Sequence, residues 1–181
     1  MPGGLQWMKE QAELNSGVKQ EETTQVGDLY NRIGEPAFRK LSVIFYDKVY
    51  SDEEWFKDIF KGKDKESAIQ NQCEFFMQRM GGPSLYSDRK GNQTLISRHK
   101  GWRVDKPAAE RWLSLMTQSL EDIGDDIDPE SKEVMLKFFK HTAYLLVAAK
   151  EVMHSNKPEA EKTDVVKPGG KDIILAKDPS A

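Results

Sequence analysis

Histidine is the side chain best suited to bind a metal or move a proton near neutral pH, and this sequence has three. His99 stands in the stretch LISRHKGW at residues 95–102, after a Gly-rich turn. Its spacing alone favours a helix-end histidine that interacts with the C-terminal dipole, with a metal ligand or general base as the alternative. His141 falls inside the last predicted helix, where we expect a surface or capped-core role, and His154 should be solvated.

Few other motifs point to chemistry. There is no HExxH or paired-histidine pattern, so side chains alone do not supply a zinc or iron site. Cys73 is the one cysteine, which excludes an intramolecular disulfide, a CxxCH attachment motif and a Cys-rich zinc site. We expect Cys73 to be an inert, small hydrophobic residue.

Three large polar residues attract more attention, because each lies on or beside the apolar face of a different predicted helix. Tyr46, Gln72 and Trp112 each carry a polar atom that needs a partner when it is buried. They are either three unrelated, satisfied core groups or a set that converges on one polar ligand.

Composition narrows the class of protein. The chain has 181 residues, a net charge of −3 and a pI near 5.7, which give no overall attraction for nucleic acid or an anionic membrane. The longest apolar run, at residues 144–149, is far too short to span a bilayer, and the N-terminus has no signal-like core. We therefore expect a soluble, cytoplasmic protein that binds neither nucleic acid nor membrane.

The pattern along the chain is all-α with polar ends. Residues 1–26 form a polar N-terminal extension, in which Leu5, Trp7, Met8 and Leu14 allow a short amphipathic helix although we expect a mobile segment. Residues 27–154 form the folded domain, and residues 155–181 form a disordered tail containing the apolar triplet at 173–175. Capping residues predict helix starts at Ser51, Asp64, Thr94, Asp105 and Asp128. Residues 84–94 lack periodicity and are predicted to be an ordered loop.

The arrangement resembles the truncated, 2-on-2 haemoglobins, in particular the second group and its plant-type members. The resemblance covers about two-thirds of the chain, from Leu29 to about Ala149. One departure is Gly34-Glu35-Pro36, where the family usually has a Gly-Gly pair. The motifs that carry the resemblance are Phe45-Tyr46, Glu74-Phe75-Phe76, Gly81-Gly82-Pro83 with Leu85-Tyr86-Ser87, Arg98-His99 and Ala109-Glu110-Arg111-Trp112-Leu113.

The resemblance implies a truncated globin fold around a b-type haem, with a role for each matching residue. His99 would be the proximal iron ligand. Tyr46, Gln72 and Trp112 would line the distal side, where Ala68 takes the place of the distal histidine of familiar globins. Arg98 would pair with a haem propionate. The aromatic residues expected to line the pocket are Phe45, Phe60 and Phe75.

The resemblance also implies a function, namely binding of O2, NO and CO at a five-coordinate or weakly six-coordinate iron. Three distal donors would slow O2 release, since a hydrogen bond to a charged partner contributes roughly 1.5–3 kcal/mol. That suits scavenging, sensing or NO dioxygenation with an external, unidentified reductase. The alternatives are a peroxidase-like or nitrite-reducing haem enzyme and a cofactor-free all-α interaction module. We expect a monomer or a weak homodimer.

Overall fold

Helices form all the regular structure of the residues that the computed structural model describes, which are 4–92 and 94–156. No strand occurs in these ranges, so the all-α prediction is confirmed. None of the described helices is long and apolar enough to cross a membrane. The α-helices are α1 (Leu5–Ser16), α2 (Leu29–Ile33), α3 (Glu35–Tyr50), α4 (Glu54–Lys57), α5 (Lys65–Arg79), α6 (Leu85–Lys90), α7 (Leu95–Arg98), α8 (Lys106–Asp122) and α9 (Pro129–Ser155).

Side-chain caps start four of these helices where the sequence predicts. Asp64, Thr94, Asp105 and Asp128 each accept a hydrogen bond from the backbone N–H three residues later, at 2.8–3.2 Å. Each cap satisfies one of the backbone donors that a helix start leaves without a partner. The prediction for Ser51 is wrong, because its hydroxyl donates back to the last turn of α3 and does not cap α4.

Two helix pairs form the core. α3 packs on α5, α8 packs on α9, and α3 also crosses α8, which gives the 2-on-2 sandwich. Burial of large apolar side chains holds this arrangement together, and Phe38, Phe45, Met116 and Met135 are completely buried. α7 lies outside the sandwich on the short connection between α6 and α8.

Leu5–Ser16 and Gln20–Asp28 are helical and packed, so the expectation of a mobile extension is wrong for this part of the chain. α1 packs along α9 with Ala12 completely buried, and a 3₁₀ segment at Gln20–Asp28 follows it onto the same helix. Lys137 of α9 pairs with Glu22 of this segment at 3.4 Å. The sequence allowed an amphipathic helix here but did not favour it, because so short a helix depends for its stability on packing, and the surface it packs on belongs to the distant α9.

His141 lies beneath α1. Its side chain is 2% exposed, and its Nε2 atom has no hydrogen-bonding partner among the described residues. Burial lowers the pKa of this imidazole, while Glu13 of α1 raises it and Lys9 lowers it. The structure thus places His141 in the core and not at the surface. The hydrogen bond expected to satisfy its ring is missing at Nε2 among the described residues.

The predicted loop at residues 84–94 also differs from the structure, because α6 occupies Leu85–Lys90. Tertiary hydrogen bonds hold this polar helix against α5. The Gln78 side chain donates to the Ser87 hydroxyl at 2.7 Å and accepts from the Ser87 backbone N–H at 2.9 Å. Gln93 and residues 157–181, including most of the predicted tail and its apolar triplet, lie outside the described residues.

Candidate functional site

A cavity of about 350 Å³ lies between the two helix pairs and α7. Its surface is mainly apolar, with a few polar groups directed into it, as is usual for cofactor sites. Eight of the nine residues that the resemblance assigns to the site line this cavity. They are Tyr46, Phe60, Ala68, Gln72, Phe75, Arg98, His99 and Trp112.

His99 ends α7, and among the described residues only one of its two ring nitrogens has a hydrogen-bonding partner. Its Nδ1 lies 2.8 Å from the carbonyl oxygen of Leu95. A carbonyl only accepts, so Nδ1 must carry the hydrogen and the lone pair is on Nε2. Lys150 of α9 supports the same turn by donating to the carbonyl oxygen of Lys100 at 2.6 Å.

The imidazole of His99 is electrically suited to remain neutral. Burial is the main cause that lowers its pKa, and the positive charges of Lys150 and Arg98 lower it further. The hydrogen bond to Leu95 acts in the opposite direction. A neutral imidazole with Nε2 unprotonated is the form that binds a metal.

Tyr46, Gln72 and Trp112 come from α3, α5 and α8, and the fold brings all three to the cavity. The Gln72 side-chain nitrogen is buried and has no hydrogen-bonding partner among the described residues. Burial strongly raises the pKa of Tyr46, so its phenol keeps its proton and remains a donor. Such buried donors are costly unless a ligand satisfies them.

Phe45 is the predicted pocket residue that does not line the cavity. It is completely buried one layer behind, with its ring centroid 5.2 Å from that of Tyr46 and 5.1 Å from that of Trp112. The helix turns by about 100° between consecutive residues, and here Tyr46 faces the cavity while Phe45 faces the core. Phe45 supports the two polar aromatic residues from the core side.

Phe60 and Phe75 do line the cavity. The ring of Phe60 packs edge-on against Trp102 at 5.5 Å and against Tyr46 at 6.0 Å. Phe75 packs edge-on against Tyr86 of α6 at 5.5 Å. These two aromatic pairs form apolar walls on either side of the polar donors.

The mouth of the cavity is positively charged. Lys63, Arg98 and Arg103 surround it together with Trp102, and the Lys63 amine lies 5.4 Å from the centre of the Trp102 ring. Arg98 stacks on Tyr86 at 3.9 Å and donates to the carbonyl oxygen of Gly91 at 2.5 Å. A cationic, partly aromatic rim of this kind suits a ligand that carries carboxylates.

Sequence reasoning did not assign several of these lining residues. Residues 61–106 hold ten Lys or Arg against five acidic residues, a pattern that favours a solvated basic face over nucleic-acid binding and also allows pairing with the carboxylates of a ligand. This pattern does not single out Lys63 or Arg103, and nothing indicated Trp102 or Tyr86 as pocket residues. The α9 face was missed as well, because its residues read simply as core positions. It contributes Phe138, Phe139, Thr142, Ala143 and Leu146.

Comparison with known proteins identifies the family and the fold. The family model described as "Bacterial-like globin" matches residues 28–145, which contain all the cavity residues named above except Leu146. "Two-on-two hemoglobin-3" from Arabidopsis thaliana is 48% identical over 161 residues, which cover 87% of this chain and 91% of that protein. This chain belongs to the truncated haemoglobins of the second group.

Other truncated haemoglobins support the same assignment. "Group 2 truncated hemoglobin 3-1" from Lotus japonicus is 46% identical over 155 residues, covering 84% of this chain and 92% of that one. The solved structure of a truncated oxygen-avid haemoglobin from Bacillus subtilis superimposes with a TM-score of 0.60 at 30% identity. That alignment covers 65% of this chain and 97% of the bacterial protein. The predicted family and the 2-on-2 fold are therefore confirmed.

Haem is the cofactor of this truncated haemoglobin, and small gases such as O2 are its ligands. The residues around the cavity fit that group. Nε2 of His99 is available to a metal, the walls are aromatic and apolar, the mouth is cationic, and Gln72 has a buried donor without a partner. The iron of haem would bind Nε2, its flat apolar macrocycle suits the aromatic walls, and its two carboxylates suit the cationic mouth.

Proposed function

We propose that this truncated haemoglobin binds O2 tightly, and also binds NO and CO, at a b-type haem whose proximal ligand is His99. In this proposal Tyr46, Gln72 and Trp112 are the distal hydrogen-bond donors. Ala68 has no ligating atom, which leaves the iron five-coordinate or only weakly six-coordinate in the resting protein. Haem supplies an iron that binds diatomic gases reversibly.

The observation that carries this proposal is the side-chain nitrogen of Gln72, which is buried in the wall of the cavity and has no hydrogen-bonding partner in the described part of the chain. A buried amide N–H without a partner costs about 1–3 kcal/mol, and a ligand that accepts its hydrogen bond recovers that energy. Tyr46 and Trp112 add an O–H and an N–H donor from two other helices. Three preorganised donors stabilise a partly negative oxygen ligand without any rearrangement.

The expected consequence is slow O2 release. Two hydrogen bonds of about 1.5 kcal/mol each would reduce the release rate on the order of 100-fold, since each 1.4 kcal/mol is about tenfold. The relative from Bacillus subtilis is itself described as oxygen-avid. Tight binding suits scavenging, sensing or NO dioxygenation, the last of which requires a separate reductase.

The positively charged mouth supports the orientation of the haem in this proposal. Arg98, Lys63 and Arg103 would hold the propionates at the opening, and the aromatic residues of the α9 face, Phe138 and Phe139, would supply apolar wall for the macrocycle. Propionates at the mouth are the only part of the group that needs water or cations. The mouth therefore fixes which way the flat group enters.

Spectroscopy and stopped-flow kinetics on the haem-loaded full chain test the proposal. We expect a Soret band that shifts on adding CO, and O2 release that accelerates by about tenfold or more in Tyr46→Phe, Gln72→Leu and Trp112→Phe. Tyr50→Phe is the matched control. Tyr50 is one turn further along α3, and its hydroxyl donates to the Lys63 carbonyl oxygen at 2.8 Å, outside the cavity.

Two results would overturn the proposal. A chain that shows no Soret band after reconstitution does not bind haem as described. Release rates in the three distal variants that equal those of the wild type and of Tyr50→Phe would remove the hydrogen-bonding account of tight binding.

A further inference from the structure

A carboxylate–guanidinium pair stands behind the distal half of the cavity. Arg111 Nε lies 2.9 Å from Asp52 Oδ2, and Arg111 Nη2 makes a second, shorter contact with Asp52 Oδ1. The Asp52 side chain is only 5% exposed and that of Arg111 31%, so this pair is more shielded from solvent than most of the ion pairs on the surface. Neither residue lines the cavity.

The two residues are 59 positions apart in sequence and connect different parts of the distal wall. Asp52 lies in the turn between α3, which carries Tyr46, and α4. Arg111 is on α8, immediately before Trp112. The pair therefore ties the end of the tyrosine-bearing helix to the helix that carries the indole.

The contact between Asp52 and Arg111 is well suited to fix the distance between the end of α3 and α8. A two-point contact between planar groups restricts both separation and rotation, which a single-point lysine contact does not. The hydrogen bonds from Arg111 are the largest cause that holds the pKa of Asp52 below its usual value, so the carboxylate stays charged. Phe45 fills the space between the helices, in contact with both Tyr46 and Trp112.

Distal donors depend strongly on such positioning. A hydrogen bond weakens steeply when its length or angle departs from the preferred range, so small displacements of the two helices change the interaction with the ligand. α3 and α8 meet directly, but the part of α3 nearest Arg111 is its final turn, where a helix frays most readily. The Asp52–Arg111 pair restrains that turn.

We propose that Asp52 and Arg111 are positioning residues that set the placement of Trp112 relative to Tyr46 and thereby the rate of ligand release. This inference rests on the proposed function, because it requires both side chains to donate to the ligand. It assigns the pair an effect on ligand chemistry, beyond any contribution to folding. The guanidinium acts through Trp112 and does not touch the ligand itself.

The test uses the haem-loaded full chain with Asp52→Asn and Arg111→Met. We expect O2 release to accelerate roughly 3- to 30-fold in each, since misplacement of about 1 Å can cost about 100-fold at a preorganised site. The C–O stretching band of the CO complex should broaden or split, because the donors then occupy more than one position. The double variant should release O2 no faster than the faster single variant, as expected for two residues that act as a unit.

Two further variants separate this effect from general destabilisation. Arg39→Met removes an exposed pair with Glu66, 2.8 Å long, that joins α3 to α5 on the solvent side, and we expect it to leave release unchanged. Arg111→Lys keeps a cation beside the carboxylate but loses the two-point contact, so it should give an intermediate rate. Because Arg111→Lys retains the positive charge, its release rate can be measured even if Arg111→Met does not fold.

The outcomes distinguish the inference from the function on which it rests. Wild-type release and an unchanged C–O band in folded Asp52→Asn and Arg111→Lys would overturn the inference, while acceleration in Trp112→Phe would leave the proposed function standing. Wild-type release in Trp112→Phe, Tyr46→Phe and Gln72→Leu would overturn both. Acceleration in Arg39→Met equal to that in Arg111→Met would also overturn the inference, since any ion pair would then suffice.

Discussion

Gly81 approaches Gly27 so closely that a Cβ atom added at Gly81 would lie 2.0 Å from the carbonyl oxygen of Gly27. The backbone at Gly81 also has φ +90°, which side chains other than glycine rarely adopt. This contact joins the end of α5 to the start of α2, where the backbone N–H of Tyr30 donates to the carbonyl oxygen of Met80 at 2.8 Å. The Gly-Gly-Pro motif thus fixes how α5, and with it Gln72, meets the rest of the fold.

We therefore expect Gly81→Ala to reduce the free energy of unfolding by more than about 2 kcal/mol, measured by urea denaturation. Gly91→Ala is the control, because Gly91 also has positive φ, at +80°, but a Cβ there would meet nothing within 4 Å. The free energy of unfolding of that variant should fall only by the cost of backbone strain, about 1–2 kcal/mol. Equal losses in the two variants would show that the close approach to Gly27 contributes nothing.

A second prediction concerns His99, the proposed proximal ligand. Nδ1 of His99 donates to Leu95, so Nε2 is the atom free to bind iron. His99→Gly should remove the normal ferrous and CO spectra of the haem-loaded chain while leaving its helix content unchanged. Added imidazole should then restore the spectra by occupying the space of the lost ring. Unaltered spectra in His99→Gly without imidazole would exclude His99 as the iron ligand.

A third prediction follows from the burial of His141 under α1. Because burial lowers its pKa in the folded state, the folded chain takes up this proton less readily than the unfolded chain, whose histidine has a pKa of about 6.5. The free energy of unfolding should therefore fall as the pH drops below about 6.5, and His141 should contribute no pH dependence well above that value. Urea midpoints between pH 8 and pH 5.5 measure the slope.

His141→Leu should flatten that slope, because leucine fills similar space and takes no proton. His154→Leu is the control, since His154 is exposed near the end of α9 and has no buried environment to lose. His99 is present in all three proteins, so its own titration cancels in the comparison. A His141→Leu slope as steep as that of the wild type would mean that α1 does not exclude the proton from this site.

A fourth prediction addresses α6, the helix that the sequence did not predict. Arg89 donates to Glu74 at 2.6 Å and 3.0 Å and to Asn71 at 2.8 Å, and so holds α6 against α5. We expect Arg89→Met to make the backbone amides of α6 exchange with solvent at least about tenfold faster, as detected by hydrogen–deuterium exchange. Lys90→Met removes an exposed cation from the same helix and should leave exchange unchanged. Equal exchange in the two variants would assign the stability of α6 to Gln78 and Ser87 alone.

Several features were predictable because they depend on local sequence. The cap residues Asp64, Thr94, Asp105 and Asp128 lie where helices begin, since each cap bonds within its own first turn. The all-α class followed from helical periodicity. The family followed from a resemblance in motifs spread over the chain, and the comparisons confirm it.

The site was only partly predictable. Eight of the nine assigned residues line the cavity, because the family motifs preserve their order and spacing. Phe45 lies behind the cavity wall, because on α3 it is Tyr46 that faces the cavity, and the resemblance does not specify which of the two side chains turns inward. The cations of the mouth, Lys63 and Arg103, were missed because no local pattern marks them.

The sequence by itself therefore determined the helices with local caps and the family, and it singled out His99, Tyr46, Gln72 and Trp112 as residues that the fold brings to one cavity. The tertiary structure alone decided the course of α1 along α9, the helical state of α6 and the pairing of Asp52 with Arg111. Each of these depends on partners many residues away, and its energy appears only when packing brings the partners together. Local sequence propensity does not specify such long-range contacts. A helix cap or an amphipathic face, in contrast, depends only on residues within a few turns of one another.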